Sequence, residues 1–307
     1  MCDIDLSVNL GGLQMKNPVT VASGTFGYGS EYADLIDIRR LGAVTVKGIR
    51  LEPWPGNELP RHVEVPGGMV NAIGLQGPGV AGFISQYMPY LVAQRVPVIV
   101  NIWGTSVEEY AEVAARLSDV EGVSALELNI SCPNVKEGGH AFGTDPRTVA
   151  ALVQRVRAAT RLPVMPKLAP NVPDIKAFVR AAQESGADAV ALINTIPAMV
   201  IDIESRRPVL SNRVGGLSGS AIHPVAVKLV WEAAQVATVP VLAMGGITAA
   251  EQAIEFMIAG ATAVAVGTAN FIDPSTALKV IAGIQDYLER HGMHSAAELT
   301  GSIVLDR

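Results

Sequence analysis

Cysteine is nearly absent from this 307-residue chain, which has only Cys2 and Cys132. Two cysteines make no disulfide framework and cannot supply the four ligands of an iron–sulfur cluster or a structural zinc. His62, His223, His291 and His294 show no ligand spacing, so no metal is expected. Charge is also sparse: 17% of residues are charged, the net charge is −6, and no lysine/arginine cluster occurs. That argues against nucleic acid or an anionic membrane surface as the main partner. A membrane span is missing too. The longest uncharged stretch, Val65–Gln94, is interrupted by glycines and prolines. The start, Met1-Cys2-Asp3-Ile4-Asp5, has neither the basic residues nor the apolar run of a signal peptide. A reduced, cytoplasmic protein is expected.

Apolar residues are abundant, at 49%. They fall into eight short runs bounded by turn signals: Pro18–Ala22, Ala43–Lys47, Val96–Asn101, Ala125–Ile130, Pro163–Leu168, Ala189–Asn194, Val239–Met244 and Ala263–Gly267. Several are apolar at consecutive positions, the pattern of parallel strands covered on both faces. Helical spacing lies between them, at Val107–Leu117, Thr148–Ala158, Ile175–Glu184, Pro224–Gln235, Ala250–Ile258 and Ala277–Tyr287. Strands alternating with helices predict a parallel sheet with right-handed crossovers. Eight such units favour a closed (β/α)8 TIM barrel, an α/β fold, over an open sheet. Two stretches break the rhythm: Gly48–Gly79, and Thr195–Ser220 with a hairpin around Ile201–Leu210. Long excursions after strands sit on the catalytic face of a barrel. With no linker or low-complexity tract, residues 1–307 read as one domain.

The strand exits carry the chemistry. They present Ser23-Gly24-Thr25, Lys47, Asn101, Asn129 with Cys132, Lys167, Asn194-Thr195, Gly245-Gly246 and Gly267-Thr268 in turn. Two lysines and three asparagines converging on one mouth suit a flat, polar, partly anionic ligand, because amides read ring carbonyls and N–H groups and lysines neutralise charge. The two glycine-bearing loops, after the seventh and eighth runs, stand where barrels commonly bind phosphate through backbone N–H groups. A lone cysteine is most often a small buried apolar group. Cys132 instead follows a strand, precedes Pro133 and opens a loop with Gly138, Gly139 and Gly143. An accessible thiol acting as a general acid/base is therefore expected, with His140 a weak candidate partner. Gly77-Pro78-Gly79-Val80-Ala81-Gly82 matches a dinucleotide fingerprint literally. It contains proline, follows no convincing strand and has no acidic residue until Glu108, so it is rejected as a nucleotide site.

In these motifs the chain resembles the class 1 dihydroorotate dehydrogenases. The resemblance is carried by Ala22-Ser23-Gly24-Thr25, Val46-Lys47, Asn71-Ala72-Ile73-Gly74-Leu75, Asn129-Ile130-Ser131-Cys132-Pro133-Asn134, Lys167-Leu168, Asn194-Thr195, Gly215-Gly216-Leu217-Ser218-Gly219, Gly245-Gly246 and Gly267-Thr268. They occur in the family's order and span nearly the whole chain. Cysteine at 132 marks class 1, since class 2 has serine there and an extra membrane-associating N-terminal segment. Gly74-Leu75-Gln76 and Arg207-Pro208-Val209-Leu210 look like the NAD-linked branch, class 1B.

The resemblance implies an FMN enzyme oxidising dihydroorotate to orotate in pyrimidine synthesis. Cys132 would remove the C5 proton, and the C6 hydride would pass to the flavin. Lys47, Asn71, Ala72, Ile73, Gly74, Leu75, Asn129, Asn134, Asn194 and Thr195 would hold the substrate. Ser23, Lys47, Gly48, Asn101, Asn129, Lys167, Ile193 and Gly219 would cradle the cofactor, with Lys167 near the flavin N1. Gly245, Gly246, Gly267 and Thr268 would take its phosphate. The branch further implies a partner subunit carrying FAD and a [2Fe–2S] cluster that passes electrons to NAD⁺, around a catalytic homodimer in a heterotetramer. Gly77, Trp103, Pro166 and Ala169 depart from the branch's pattern, in positions that bear on cofactor contacts. The alternatives are a fumarate-dependent class 1A homodimer, a flavin barrel acting on RNA bases, which the acidic charge disfavours, and a non-redox phosphate-binding barrel.

Overall fold

A computed structural model describes residues 4–130 and 143–305. Eight parallel strands form the central sheet: Val19–Val21, Val44–Ile49, Val98–Ile102, Val123–Asn129, Val164–Lys167, Val190–Leu192, Val241–Met244 and Ala263–Val266. They are called the first to eighth barrel strands below. From the second onward each pairs with the next in chain order, and the eighth returns to the first. The remaining seam, between the first and second strands, has no regular ladder. Gly42 donates its N–H to Val19 O (2.9 Å), while the Thr20 hydroxyl donates to Ala43 O (2.9 Å) and lies 3.1 Å from the Thr45 hydroxyl. Side-chain hydroxyls thus close a nearly complete (β/α)8 barrel. The strands are buried almost throughout, as their continuous apolar runs require.

Helices cover the sheet where the 3.6-residue spacing places them: Val107–Leu117, Pro146–Arg157, Ile175–Glu184, His223–Ala234, Ala250–Ala259 and Thr276–Arg290. Three start on side-chain caps. Ser106 accepts from Glu109 N, Asp145 from Arg147 N and Asp174 from Lys176 N. Each cap satisfies a backbone N–H left unpaired in the first turn, a gain of about 1 kcal/mol. Tyr110, Ala111, Ala114 and Leu117 form the buried stripe of the first of these helices, as their spacing predicts. After the first strand there is no α-helix, only the single turns Ser30–Tyr32 and Ile38–Arg40.

The two excursions meet. Ile196–Ala198, Gly215–Ser218, Gly68–Asn71 and His62–Val65 make one four-stranded antiparallel sheet, in that order. It is joined across the excursions by the register Gly216↔Asn71 and Leu217↔Val70. The second barrel strand runs through Ile49, so Gly48 belongs to the strand and the excursion begins after it. The hairpin expected around Ile201–Leu210 is present as Ile201–Asp202 paired with Arg207–Pro208.

Candidate active site

A cavity of about 670 Å³ opens at the C-terminal ends of the strands, roofed by the excursion sheet. Its volume falls within the range of about 300–1,000 Å³ usual for small-molecule sites. Eighteen of the residues expected from sequence line it: Ser23, Lys47, Gly48, Asn71, Ile73, Gly74, Leu75, Asn101, Asn129, Lys167, Ile193, Asn194, Thr195, Gly219, Gly245, Gly246, Gly267 and Thr268. Ala72 does not. Its side chain is buried beside Val70 and Leu210, and its carbonyl accepts from Asn57 Nδ2 at 2.9 Å. Cys132, Asn134 and His140 lie outside the described residues. A more open groove of similar volume, bounded by Arg50, Glu52, Glu108 and Glu112, holds none of the expected residues.

The cavity floor is a directed chain of amides. Asn101 Nδ2 donates to Glu127 Oε1 at 2.6 Å, and Lys167 Nζ stands 3.8 Å from the same oxygen. Asn129 Nδ2 donates to Asn101 Oδ1 (3.4 Å), and Asn194 Nδ2 to Asn129 Oδ1 (3.5 Å). Asn194 Oδ1 in turn accepts from the Thr195 backbone N–H at 2.8 Å. Four barrel strands or their exits supply these groups, so the backbone ladders hold them in register. Tyr110 OH, buried, donates to Asn129 O at 2.6 Å and pins the end of the fourth strand. Asn101, Asn129 and Lys167 are nearly fully buried. A hydrogen bond to a charged group in such surroundings contributes about 1.5–3 kcal/mol.

Cations guard the mouth. Lys47, Arg61 and Glu31 all line it. Burial holds the Lys47 ammonium below the ordinary lysine range. The nearby Arg61 guanidinium adds to that effect, and Glu31 opposes it. An anionic ligand would relieve this penalty, so the mouth is suited to one. Tyr32 and His62 also face the cavity. The Tyr32 hydroxyl donates to Thr25 O at 2.8 Å, and burial pushes its pKa up.

At the far end, Gly245 and Gly246 follow the seventh strand and Gly267-Thr268 the eighth. Gly246 has φ +71°, a left-handed conformation that favours glycine, and a Cβ there would lie 2.7 Å from His223 Cβ. Around Gly267 only Ala22 Cβ comes within 4 Å of such an atom. At Gly246 glycine lets the turn pack against His223, and at Gly267 it leaves space open toward the cavity. Thr268 Oγ1 donates to Ser218 Oγ at 2.8 Å, which ties the eighth exit to the excursion sheet. His223 sits behind the glycines, its Nδ1 2.9 Å from Gly245 O and its Nε2 2.9 Å from Glu255 Oε2.

The sequence reading passed over Glu127. The signal was present, a carboxylate between Leu126 and Leu128 in a buried strand. Arg61, Glu31 and Met244 were also missed, because Arg61 comes to the mouth only on the folded excursion and Glu31 only on the turn Ser30–Tyr32. Trp103 is packed in the core rather than on the cavity wall. The literal fingerprint Gly77–Gly82 opens helix Gly79–Gln86, and the strand before it, Gly68–Asn71, belongs to the antiparallel excursion sheet rather than to a parallel βαβ unit. Among the described residues no cluster suits a metal ion, and no helix is long and apolar enough to cross a membrane.

Known proteins resemble this chain over nearly its whole length. The dihydroorotate dehydrogenase family profile matches residues 5–288. The chain is 51% identical over 303 residues, 99% of each chain, to the dihydroorotate dehydrogenase B (NAD(+)) catalytic subunit of Geotalea daltonii. It is 50% identical to the same subunit of Pelobacter propionicus, over 97% of this chain and 98% of that one. The Bacteroides fragilis subunit is likewise 50% identical, over 97% and 99%.

Proposed function

This chain belongs to the dihydroorotate dehydrogenase family, and from that membership we propose that it oxidises (S)-dihydroorotate to orotate, with FMN in the strand-exit cavity and electrons leaving through a partner subunit to NAD⁺. The observation that carries the proposal is the convergence of Lys47, Asn71, Asn129, Asn194, Lys167 and the Gly245-Gly246 loop on one cavity. The donor set fits the cofactor. Gly267 at the eighth exit leaves open space beside the Gly245-Gly246 turn for a phosphate, and a buried lysine and Asn101 stand at the floor.

Ser23, Gly48, Asn101, Lys167, Ile193 and Gly219 would hold the flavin ring, and Gly245, Gly246, Gly267 and Thr268 its phosphate. Bound FMN would supply a two-electron acceptor for the hydride from C6 of the substrate. Lys47, at the cavity mouth, would meet the substrate carboxylate. Asn71, Asn129, Asn134 and Asn194 would read the carbonyl and N–H edges of the pyrimidine, with Thr195 beside them. Cys132 would act as the base that takes the C5 proton, which is acidic because it lies next to a carbonyl. Lys167 would place a fixed cation where reduction builds negative charge. The excursion sheet would exclude water from the ring.

The NAD-linked assignment follows the relatives' printed names. The chain has neither four cysteines for a cluster nor a nicotinamide fingerprint, so the electron-transfer step belongs to a second subunit bearing FAD and a [2Fe–2S] cluster. We place the chain as a catalytic homodimer within a heterotetramer, in the cytoplasm, with residues 1–307 forming one FMN-binding barrel. The test is acceptor choice. The purified chain should be yellow and should turn over dihydroorotate poorly with either fumarate or NAD⁺. Adding the iron–sulfur flavoprotein subunit should restore NAD⁺ reduction. Rapid turnover of the lone chain with fumarate would overturn the NAD-linked assignment, and a colourless chain would overturn the flavin reading.

A further inference from the structure

Glu127 is fully buried in the middle of the fourth strand, and its carboxylate meets two residues of the cavity floor. Its second oxygen, Oε2, has no hydrogen-bond partner among the described residues. Burying a carboxylate costs several kcal/mol, and the fold of the strand does not itself require one. Building on the reading that the cavity holds FMN, we propose that Glu127 is a positioning residue that counterbalances the Lys167 ammonium and directs the amides of Asn101 and, through it, Asn129, so setting how strongly the site favours a reduced flavin.

Two pieces of geometry support this. The first is direction. A carboxylate can only accept, so the 2.6 Å contact forces Asn101 to present its Nδ2 to Glu127 and its Oδ1 to Asn129. Asn129 then turns its Nδ2 toward Asn101 and its Oδ1 toward Asn194. One acceptor therefore orients Asn101 and, through it, Asn129, and it does so in the same sense that the Thr195 N–H fixes Asn194. The second is charge. Lys167 Nζ lies 3.8 Å from Glu127 Oε1, with both side chains almost wholly buried. At that separation and burial, solvent and salt screen the pair only weakly. The cation presented to the cavity is therefore tempered by its neighbour.

The consequence has a sign. Glu127→Gln keeps the shape and removes the negative charge. Lys167 is then uncompensated, and the added negative charge of a reduced flavin is favoured. The two-electron midpoint potential of the bound FMN, measured by photoreduction against a reference dye, should become more positive. A tenfold gain in preference for the reduced cofactor corresponds to about 30 mV for a two-electron couple. Glu127→Asp withdraws the same charge by one methylene and should move the potential the same way by less. A purely structural role would lower thermal stability and flavin retention without moving the potential. A wild-type potential in whichever variant retains flavin overturns the proposal. If the wild-type chain binds no FMN, the functional reading fails first and this inference with it. If wild-type FMN is reduced by dihydroorotate yet Glu127→Gln leaves its potential unchanged, this inference alone fails.

Discussion

Replacing Gly246 by alanine tests whether the loop after the seventh strand is the cofactor's phosphate site. At φ +71° an alanine is strained by about 1–2 kcal/mol. Its Cβ would also stand 2.7 Å from His223 Cβ and 2.9 Å from Gly219 O. Carbon atoms pack comfortably at about 3.5–4.0 Å, so either His223 or the loop must shift by roughly 1 Å. Overpacking of this kind costs about 1–3 kcal/mol. His223 is anchored to Gly245 O and Glu255, so the loop is the part expected to move, and its backbone N–H groups would move with it. Losing one hydrogen bond to a charged phosphate costs about 1.5–3 kcal/mol, equivalent to about 10- to 100-fold in affinity. Urea unfolding of the FMN-free Gly246→Ala chain should show a loss of about 2–5 kcal/mol. Titration of FMN fluorescence should show the weakened binding. Wild-type affinity in a destabilised variant would move the phosphate away from this loop, and wild-type behaviour in both assays would refute the packing argument itself.

Other expectations concern the mouth, the strand exit and a helix start. Lys47→Met should weaken orotate binding by about 10- to 100-fold, the worth of one charge-assisted contact. Because burial holds the Lys47 ammonium below the ordinary lysine range, wild-type orotate affinity should fall on the alkaline side before about pH 10.4, the free lysine value. Lys47→Arg should postpone that fall, and an unchanged titration would count against Lys47 as the anion contact. Tyr110→Phe leaves Asn129 O without its 2.6 Å donor in a buried site. Denaturant unfolding should show a loss of about 1–3 kcal/mol. Asp273 accepts from Ser275 N and Ser275 Oγ and pairs with Lys279, and these contacts lower its pKa to about 2. A depressed carboxylate stabilises the fold above its unfolded pKa, near 3.9, and that contribution disappears as pH falls through about 2. Asp273→Asn should therefore melt below wild type at neutral pH and converge with it in strong acid, and parallel melting curves throughout would disprove the linkage.

The barrel was legible in the sequence because buried parallel strands leave an unmistakable local mark. Val98–Ile102 and Ala263–Val266 are apolar at nearly every position, and the capped helices between them keep a 3.6-residue stripe. The strand exits were legible for a related reason, since Lys47, Asn129 and Lys167 are polar residues where packing alone requires none. The roof was not. Gly68–Asn71 and Gly215–Ser218 are short and glycine-rich, and their pairing joins residues far apart in the chain, so no local period announces it. Arg61 reaches the mouth only through that folding, and Glu31 only on the isolated turn Ser30–Tyr32. Glu127 was hidden by the alternation that marked its strand, in which Leu126 and Leu128 stood out and the carboxylate between them did not. The missing helix after the first strand follows from residues Ser30–Arg40 forming two isolated turns.

The most direct measurement is a single anaerobic turnover, mixing the purified flavin-loaded chain with dihydroorotate and following the flavin absorbance. The wild-type chain should bleach fully with one orotate formed per flavin, while Cys132→Ala should keep its flavin and bleach slower by roughly 10²-fold or more, the usual contribution of a general base. A wild-type flavin that stays oxidised in excess dihydroorotate, or a Cys132→Ala chain that bleaches at the wild-type rate, would contradict the account.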